Sequence, residues 1–343
     1  MDNQYQEIKN IINRSGNILV ISHRKPDADT LGAALTLKIW LTKIGKQVTL
    51  ACVDEPAPVF SFLPHIDEFV DEFDLKSFDL AVIVDAGASY MTNFHLKYED
   101  LFKGIVPILN IDHHASNDYF GKINVVDPKA ASTTVILYRI LTATPPQAGL
   151  TKNVREANTN QSIIDNDMAT CLLAGIYGDT GSFMHSNTNK EVYEVSSDLM
   201  AKGARVTDIT RALFKSKPLA TLRLWGRVLE KAKITNDNIV MSAIKEEDYE
   251  QASSSPEHLS GVVDYLNMIP GTKFAVLLNE DRNGHVKGSF RTREADIDLS
   301  RIAAVFGGGG HPKASGFMLP GKLAEELKYT IISPDSSRKS LEF

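Results

Sequence analysis

Seven side chains able to hold a divalent cation stand just after short apolar runs. They are His23, Asp27 and Asp29 after NILVIS (17–22), Asp85 in VDAG, His113 and His114 in ILNIDHHASN (108–117), and Asp179 in GIYGDTG. Asp112 directly precedes the paired histidines. Each has an ordinary use when taken alone. An Asp after a strand often caps a helix or closes a turn, and Asp29 is placed to cap the helix that follows it. A His pair is often a satisfied surface or core feature. The group as a whole is harder to dismiss, because carboxylates crowded on one edge repel one another unless cations bind there. Oxygen and imidazole donors without cysteine suit Mn2+ and related ions, and not a structural thiolate zinc site. The count suits two ions about 3.5–4 Å apart sharing a bridging carboxylate. Such a pair activates water and clamps phosphoryl oxygens, so the chemistry is phosphoester hydrolysis.

The elements that must position these groups are strands of a parallel sheet. NILVIS (17–22), QVTLACV (47–53), FDLAVIVDAGA (78–88) and IVPILNID (105–112) are apolar strand patterns. Helical patterns at 29–45, 132–144 and 168–183 separate or follow them. Apolar strands alternating with helices imply an α/β domain whose mostly parallel sheet carries helices on both faces. In such a sheet all strand carboxyl ends share one edge, where sites form. Residues 191–232 are helical throughout and form a linker. NIVMSAIK and KFAVLLNED are strands, Asn283-Gly284 is a hairpin turn into VKGSFRT, and LSRIAAVF is a short helix. The expected organisation is a catalytic domain at 1–190, the linker at 191–232, a smaller mixed α/β domain at 233–330 and a mobile tail at 331–343.

Composition narrows the function. The chain has 343 residues, 43% hydrophobic and 23% charged, with a net charge of −6. That balance argues against a broad basic surface for long nucleic acid. Cys52 and Cys171 lie in apolar runs and read as buried free thiols. The N-terminal segment lacks the features of a signal peptide, and no apolar run reaches membrane-spanning length. The expectation is a soluble cytoplasmic protein with no membrane association.

The motifs SHRKPDAD, VDAG, DHH and GDTGSF, in this order, resemble the four motifs of the DHH phosphoesterase superfamily. GGGGHPKASG (307–316) resembles the signature of the DHH-associated C-terminal domain. Any one motif is weak evidence, and five in order over most of the chain are strong. The combination resembles the stand-alone nanoRNase (oligoribonuclease)/pAp-phosphatase branch, which includes relatives acting on cyclic or linear dinucleotides. The resemblance implies that His23, Asp27 and Asp85 bind one metal, and that Asp29, Asp85, His113 and Asp179 bind the other, with Asp85 bridging. His114 would contact the scissile phosphate, and Asp112 would orient the histidines. The metals would be two divalent ions, Mn2+ first, with Mg2+ and Co2+ as alternatives. Gly178 departs from the family, which more often has Thr before this Asp. A homodimer through the first domain is also implied, with an active site in the cleft between the domains.

Two divalent ions and four ligand carboxylates sum to roughly zero charge, so an anionic nucleotide needs further cations. Arg291, Arg293, Arg301, His311 and Lys313 surround the glycine run. That run is neither a Walker loop nor a dinucleotide-binding fingerprint. Glycines let backbone N–H groups approach a phosphate or base. From the resemblance, Arg291, Gly309, Gly310 and His311 are assigned to substrate binding, while Lys313 and Arg293 fit solvated surface charges equally well. The expected activity is hydrolysis of very short oligoribonucleotides and of 3′-phosphoadenosine 5′-phosphate (pAp). The alternative on the same scaffold is a cyclic di-AMP or pApA phosphodiesterase. Inorganic pyrophosphatase is disfavoured by the glycine-rich motif, although Ser337-Arg338-Lys339-Ser340 echoes its second-domain motif. A long-strand exonuclease is disfavoured by the acidic chain, and a silent nucleotide-binding protein by the full ligand set.

Overall fold

The apolar runs of the first half become strands of one sheet. The computed structural model describes residues 2–143, 163–215, 217–281, 283–324, 328–332 and 338–342. Its first elements are α1 (Asp2–Arg14), β1 (Asn17–Ile21), α2 (Ala28–Lys43), β2 (Gln47–Ala51), β3 (Phe69–Val70), β4 (Leu80–Val84) and α3 (Glu99–Phe102). Then follow β5 (Ile108–Asp112), β6 (Ile123–Val126), α4 (Thr133–Ala143), α5 (Asn166–Asp179), α6 (Lys190–Ala201) and α7 (Val206–Thr210). All six strands are parallel, in the order β3-β2-β1-β4-β5-β6.

A strand covered on both faces can be apolar throughout, and β4 (LAVIV) is buried at every position. On one face Ile18, Val20 and Val82 share a core with Leu31, Leu35, Val135 and Leu172 of α2, α4 and α5. On the other, Leu19, Ile21 and Ile83 share a core with Phe94 and Leu101. Helices lie on both faces, but the second face is covered by the short α3 and single 3-10 turns. The chain leaves β1 toward β2 and β3, then returns on the opposite side to β4. The ends of β1 and β4 therefore flank the point where strand order reverses, the favoured site position in such sheets.

Helices α2 and α5 approach closely because glycine lines their crossing. A Cβ at Gly32 would collide with the Cys171 carbonyl, and one at Gly175 would stand 2.5 Å from both Asp29 Oδ1 and Thr134 Oγ1. Gly178 meets Ala28, where a Cβ would lie 2.8 Å from the alanine methyl. The departure from Thr at this position thus has a packing reason.

The second half continues with α8 (Leu219–Glu230), β7 (Lys233–Ile234), β8 (Ile239–Ile244), α9 (Glu246–Ala252) and α10 (Val262–Leu266). It closes with β9 (Phe274–Glu280), β10 (His285–Arg291), α11 (Leu299–Val305), β11 (Gly309–His311) and β12 (Ala314–Pro320). Its sheet runs β11-β12-β10-β9-β8-β7 and is antiparallel except for β8 beside β9. The β9–β10 hairpin turns where Asn283-Gly284 places it.

Two expectations need correction. The chain divides into compact units at Met1–Ser216 and Lys217–Phe343. The helical segment is therefore not a separate linker: Val192, Leu199 and Ile209 join the first core, and Leu224 and Val228 join the second. The tail expected to be mobile also carries regular pairing, since β13 (Lys328–Ile332) is antiparallel to β14 (Arg338–Glu342). Arg338 and Lys339 stand within that strand. No helix among the described residues is long and apolar enough to cross a membrane.

Candidate metal centre

The site is built on strand ends and on two helix ends. His23 follows β1, and its Nδ1 lies 2.8 Å from the Arg24 carbonyl. A carbonyl only accepts, so Nδ1 carries a proton and Nε2 is the nitrogen left to face a cation once it gives up its own proton. That Nε2 faces Asp85 Oδ2 at 3.5 Å and Asp27 Oδ1 at 3.8 Å. His113, just past β5, repeats the arrangement. Its Nδ1 faces the Ala130 carbonyl at 3.4 Å, and its Nε2 faces Asp179 Oδ2 at 3.1 Å and Asp85 Oδ1 at 3.6 Å. Rings pinned through one nitrogen with the other aimed at carboxylates are how histidine metal ligands are held.

Asp27 Oδ1 accepts the backbone N–H of Asp29 at 2.9 Å and of Thr30 at 3.2 Å, so Asp27 caps α2. The expectation that Asp29 caps this helix is not met, because Asp29 lies inside its first turn. Its buried carboxylate instead caps α4, accepting Thr133 N at 2.6 Å, Thr134 N at 3.0 Å and Thr134 Oγ1 at 2.7 Å. A carboxylate has about four acceptor positions, and one on Oδ2 remains. Asp85 ends β4, is 2% exposed, and receives the Thr133 hydroxyl on Oδ1 at 3.0 Å. Asp179 is the last residue of α5; the helix stops there, before the expected boundary, and Gly181, Ser182 and Phe183 turn left-handed.

Ligating atoms lie within 4.8 Å of one another in three groups: His23, Asp27 and Asp85; Asp29, His113 and Asp179; and Asp85, His113 and His114. Asp85 and His113 each belong to two of them. His114 gives its Nδ1–H to Asp112 Oδ1 at 2.7 Å, which leaves Nε2 uncommitted. The field is cation-seeking. Burial opposes charge on His23, but the Asp85 hydrogen bond and the charges of Asp27 and Asp85 outweigh it and raise its pKa to about 9. His113 is likewise carried to about 10, against burial, by the Asp179 hydrogen bond and the charges of Asp29, Asp179 and Asp85. Burial, reinforced by the Asp85 charge, pushes the Asp29 carboxyl well up. Asp85 moves down, because hydrogen bonding to His23 and the charges of three imidazoles overcome its burial. This donor set fits divalent cations.

The four proposed substrate residues lie in the second unit. Arg291 of β10 and His311 of β11 both pair with Ala314 of β12, so the three share one face, the outer two separated by two strand spacings, about 9.6 Å. Ser289, Gly316 and Gly309 form the next row on that face. The floor between Arg291 and His311 thus carries nothing larger than a methyl group. His311 Nδ1 accepts the Lys313 N–H at 3.2 Å, leaving Nε2–H as a donor. Arg291 Nε pairs with Asp264 at 3.2 Å, and Nη1 bonds the Phe290 carbonyl at 2.9 Å. Gly310 has φ +137°, and a Cβ there would stand 2.7 Å from the Ala314 carbonyl, so the strand pairing itself requires glycine. The Lys313 side chain is committed to the protein itself. Its ammonium donates to the carbonyls of Glu294, Ala295 and Ile297 and ties down that loop.

Residues 17–176 match the model of the DHH family, N-terminal domain, and residues 236–333 match the DHHA1 domain. The chain belongs to the DHH family. It is a phosphoesterase, of a family that uses divalent metals. The bifunctional oligoribonuclease and PAP phosphatase NrnA of Thermus thermophilus is 28% identical over 306 residues, covering 89% of this chain and 85% of the relative. The protein of the same name from Bacillus subtilis is 23% identical, covering 90% of this chain and 91% of the relative. An exopolyphosphatase-related protein from Bacteroides fragilis shares the fold, with a TM-score of 0.82 at 24% identity over 94% of this chain and 93% of that one.

Four residues of this DHH centre escape a reading by motif: Thr133 and Thr134, which hold Asp29 and Asp85, Asn117, which bonds Asp112, and Asn110, which bonds Asn117. One signal was available. Asn is disfavoured inside strands, and Asn110 interrupts the apolar run ILNI.

Proposed function

We propose that the protein hydrolyses very short oligoribonucleotides and removes a phosphate from pAp, using two divalent ions of which Mn2+ is the first choice. The observation that carries this reading is the pair of imidazoles, each pinned through Nδ1–H to a backbone carbonyl with Nε2 facing a set of carboxylates. The similarity to the NrnA proteins along most of the chain supports the substrate class.

In this reading His23, Asp27 and Asp85 hold one ion, and Asp29, Asp85, His113 and Asp179 hold the other. When bound, the ions supply Lewis acidity toward phosphoryl oxygens and lower the pKa of water. Asp85 keeps its two oxygens turned toward different imidazoles, which suits a shared ligand. Thr133 bonds both Asp85 and Asp29 and keeps the two carboxylates in register. Asp112 fixes the tautomer of His114 and favours its protonated ring, so Nε2 can donate to the scissile phosphate. In the second unit, Arg291, the backbone at Gly309 and Gly310, and His311 bind the nucleotide end.

The test is one competition digest with Mn2+ and equimolar pApA, pAp, cyclic di-AMP and pyrophosphate, followed by chromatography. Early loss of pApA and pAp is expected, and Asp85→Asn should abolish it. Early loss of cyclic di-AMP would move the protein to the cyclic-dinucleotide class, and loss of pyrophosphate alone would overturn the reading.

A further inference from the structure

Asp85 has φ +58°, a left-handed conformation that a non-glycine residue enters at a cost. The carbonyls that bracket it are held by one side chain. Asn110, fully buried on β5, donates from Nδ2 to the Ala86 carbonyl at 3.2 Å and the Ile83 carbonyl at 3.4 Å. Its Oδ1 accepts from Asn117 Nδ2 at 2.8 Å. Asn117 Nδ2 also donates to Asp112 Oδ2 at 2.6 Å, while its Oδ1 accepts the Tyr119 N–H at 2.7 Å. The amide orientation is thereby fixed, with oxygen toward Tyr119 and nitrogen toward Asp112. Asp112 Oδ1 in turn takes the Nδ1–H of His114.

One buried path therefore runs from the backbone around Asp85 through Asn110, Asn117 and Asp112 to His114. We propose that Asn110 and Asn117 are positioning residues, which set the carboxylate shared by the two cation groups and the phosphate-facing imidazole in one geometry. The inference rests on the proposed two-ion function. A purely structural use is a poor account of the path. Apolar pairs of similar shape can replace a buried hydrogen-bonded pair at little cost, and the strand positions that flank Asn110, Leu109 and Ile111, are apolar. The residue type is also specific. Asn117 must donate toward Asp112 and Asn110 while accepting from Tyr119, and an Asp there would set one carboxylate oxygen against another.

The test uses full-length protein, comparing wild type, Asn117→Asp, the exchange Asn117→Asp/Asp112→Asn, and Asn110→Ala. Readouts are kcat and KM on pApA, calorimetric Mn2+ affinity, and Tm. Asn117→Asp is expected to lower kcat about 10–100-fold with KM nearly unchanged, as losses of ligand-orienting groups do. Asn110→Ala should weaken Mn2+ binding by a similar factor. The exchange restores an amide–carboxylate pair between positions 112 and 117 but not the donation to Asn110, so Tm should recover in part while kcat stays low. Recovery of both in the exchange, or wild-type kcat and Mn2+ affinity in the single variants, would overturn the inference and leave the proposed function standing. If Asn117→Asp fails to fold, the exchange and Asn110→Ala decide. Wild-type protein that neither binds Mn2+ nor cleaves pApA or pAp would overturn both.

Discussion

Gly309 is the one glycine of the GGGG run whose missing side chain the fold does not require. Gly307 has φ +70°, Gly308 and Gly310 would drive a Cβ into β12, and Gly309 has open space and no positive φ. Room left on the edge strand β11 is room for a ligand to meet the backbone. Gly309→Ala should therefore keep Tm close to wild type and raise KM for pApA roughly tenfold, because a hydrogen bond to a charged group contributes roughly 1.5–3 kcal/mol. Steady-state kinetics beside a melting curve check this, and an unchanged KM would remove Gly309 from the binding site. At this scale the sequence is most legible where chemistry constrains residue type. His23, Asp27, Asp29, Asp85 and His113 follow strand ends and Asp179 closes a helix, and their ligating atoms converge in groups. Residues acting through others are less legible, because Asn117 and Thr133 belong to types common in any turn. Lys313 shows the opposite failure. A lysine near a glycine run looks like a phosphate ligand, and only the three carbonyls around it reveal a loop tie.

The crossing of α2 and α5 is the element on which the centre depends. It brings Asp29, in the first turn of α2, near Asp179, at the last turn of α5. Gly175→Ala would press a methyl against Asp29 and Thr134. The expected cost is about 1–3 kcal/mol from overpacking, with weaker Mn2+ binding as Asp29 is displaced. Denaturant midpoints and calorimetry measure the two effects, and unchanged values in both would mean that the crossing relaxes freely. Strands β1, β4 and β5 were readable because burial on both faces leaves mostly apolar runs, and β2 from its buried end, Leu50-Ala51. The two-residue β3 and the half-buried β6 lack that signature. Sequence reading also omits α1, although Ile8, Ile11 and Ile12 carry helical spacing. The end of α5 was misplaced because GDTGSF contains no proline to stop a helix, and the left-handed turn after Asp179 depends on tertiary context.

Across the whole molecule, the cation-seeking centre links stability, metal and pH. His23 and His113 have pKa values raised from 6.5 to about 9 and about 10. A raised value stabilises the metal-free fold fully below the unfolded pKa, and the contribution disappears as pH climbs through the folded one. With EDTA, Tm should therefore fall as pH rises from 6.5 toward 9. Metal acts with the opposite sign, since binding at Nε2 displaces those protons and strengthens with pH. Scanning calorimetry at pH 6.5, 7.5 and 8.5, with EDTA or Mn2+, should show a Tm gap that widens with pH. A constant gap would mean that the metal-free rings carry no proton. The two-unit organisation was legible from the change in strand pattern. The boundary was not, because the intervening helices divide between two cores rather than forming a third body.

The strand order has a consequence for how the enzyme is made. Beside β1 lies β4, with Ile21 paired to Ile83, while β2 and β3 intervene in the chain. The candidate ligands stretch from His23 to Asp179. Pairings so distant in sequence are slow to form and arise only once the connecting chain has collapsed. During synthesis, a chain that has emerged only as far as β5 has strands and helices but no Asp179. A half-made copy therefore cannot assemble the candidate metal centre until the helix that ends in Asp179 has emerged and packed against α2.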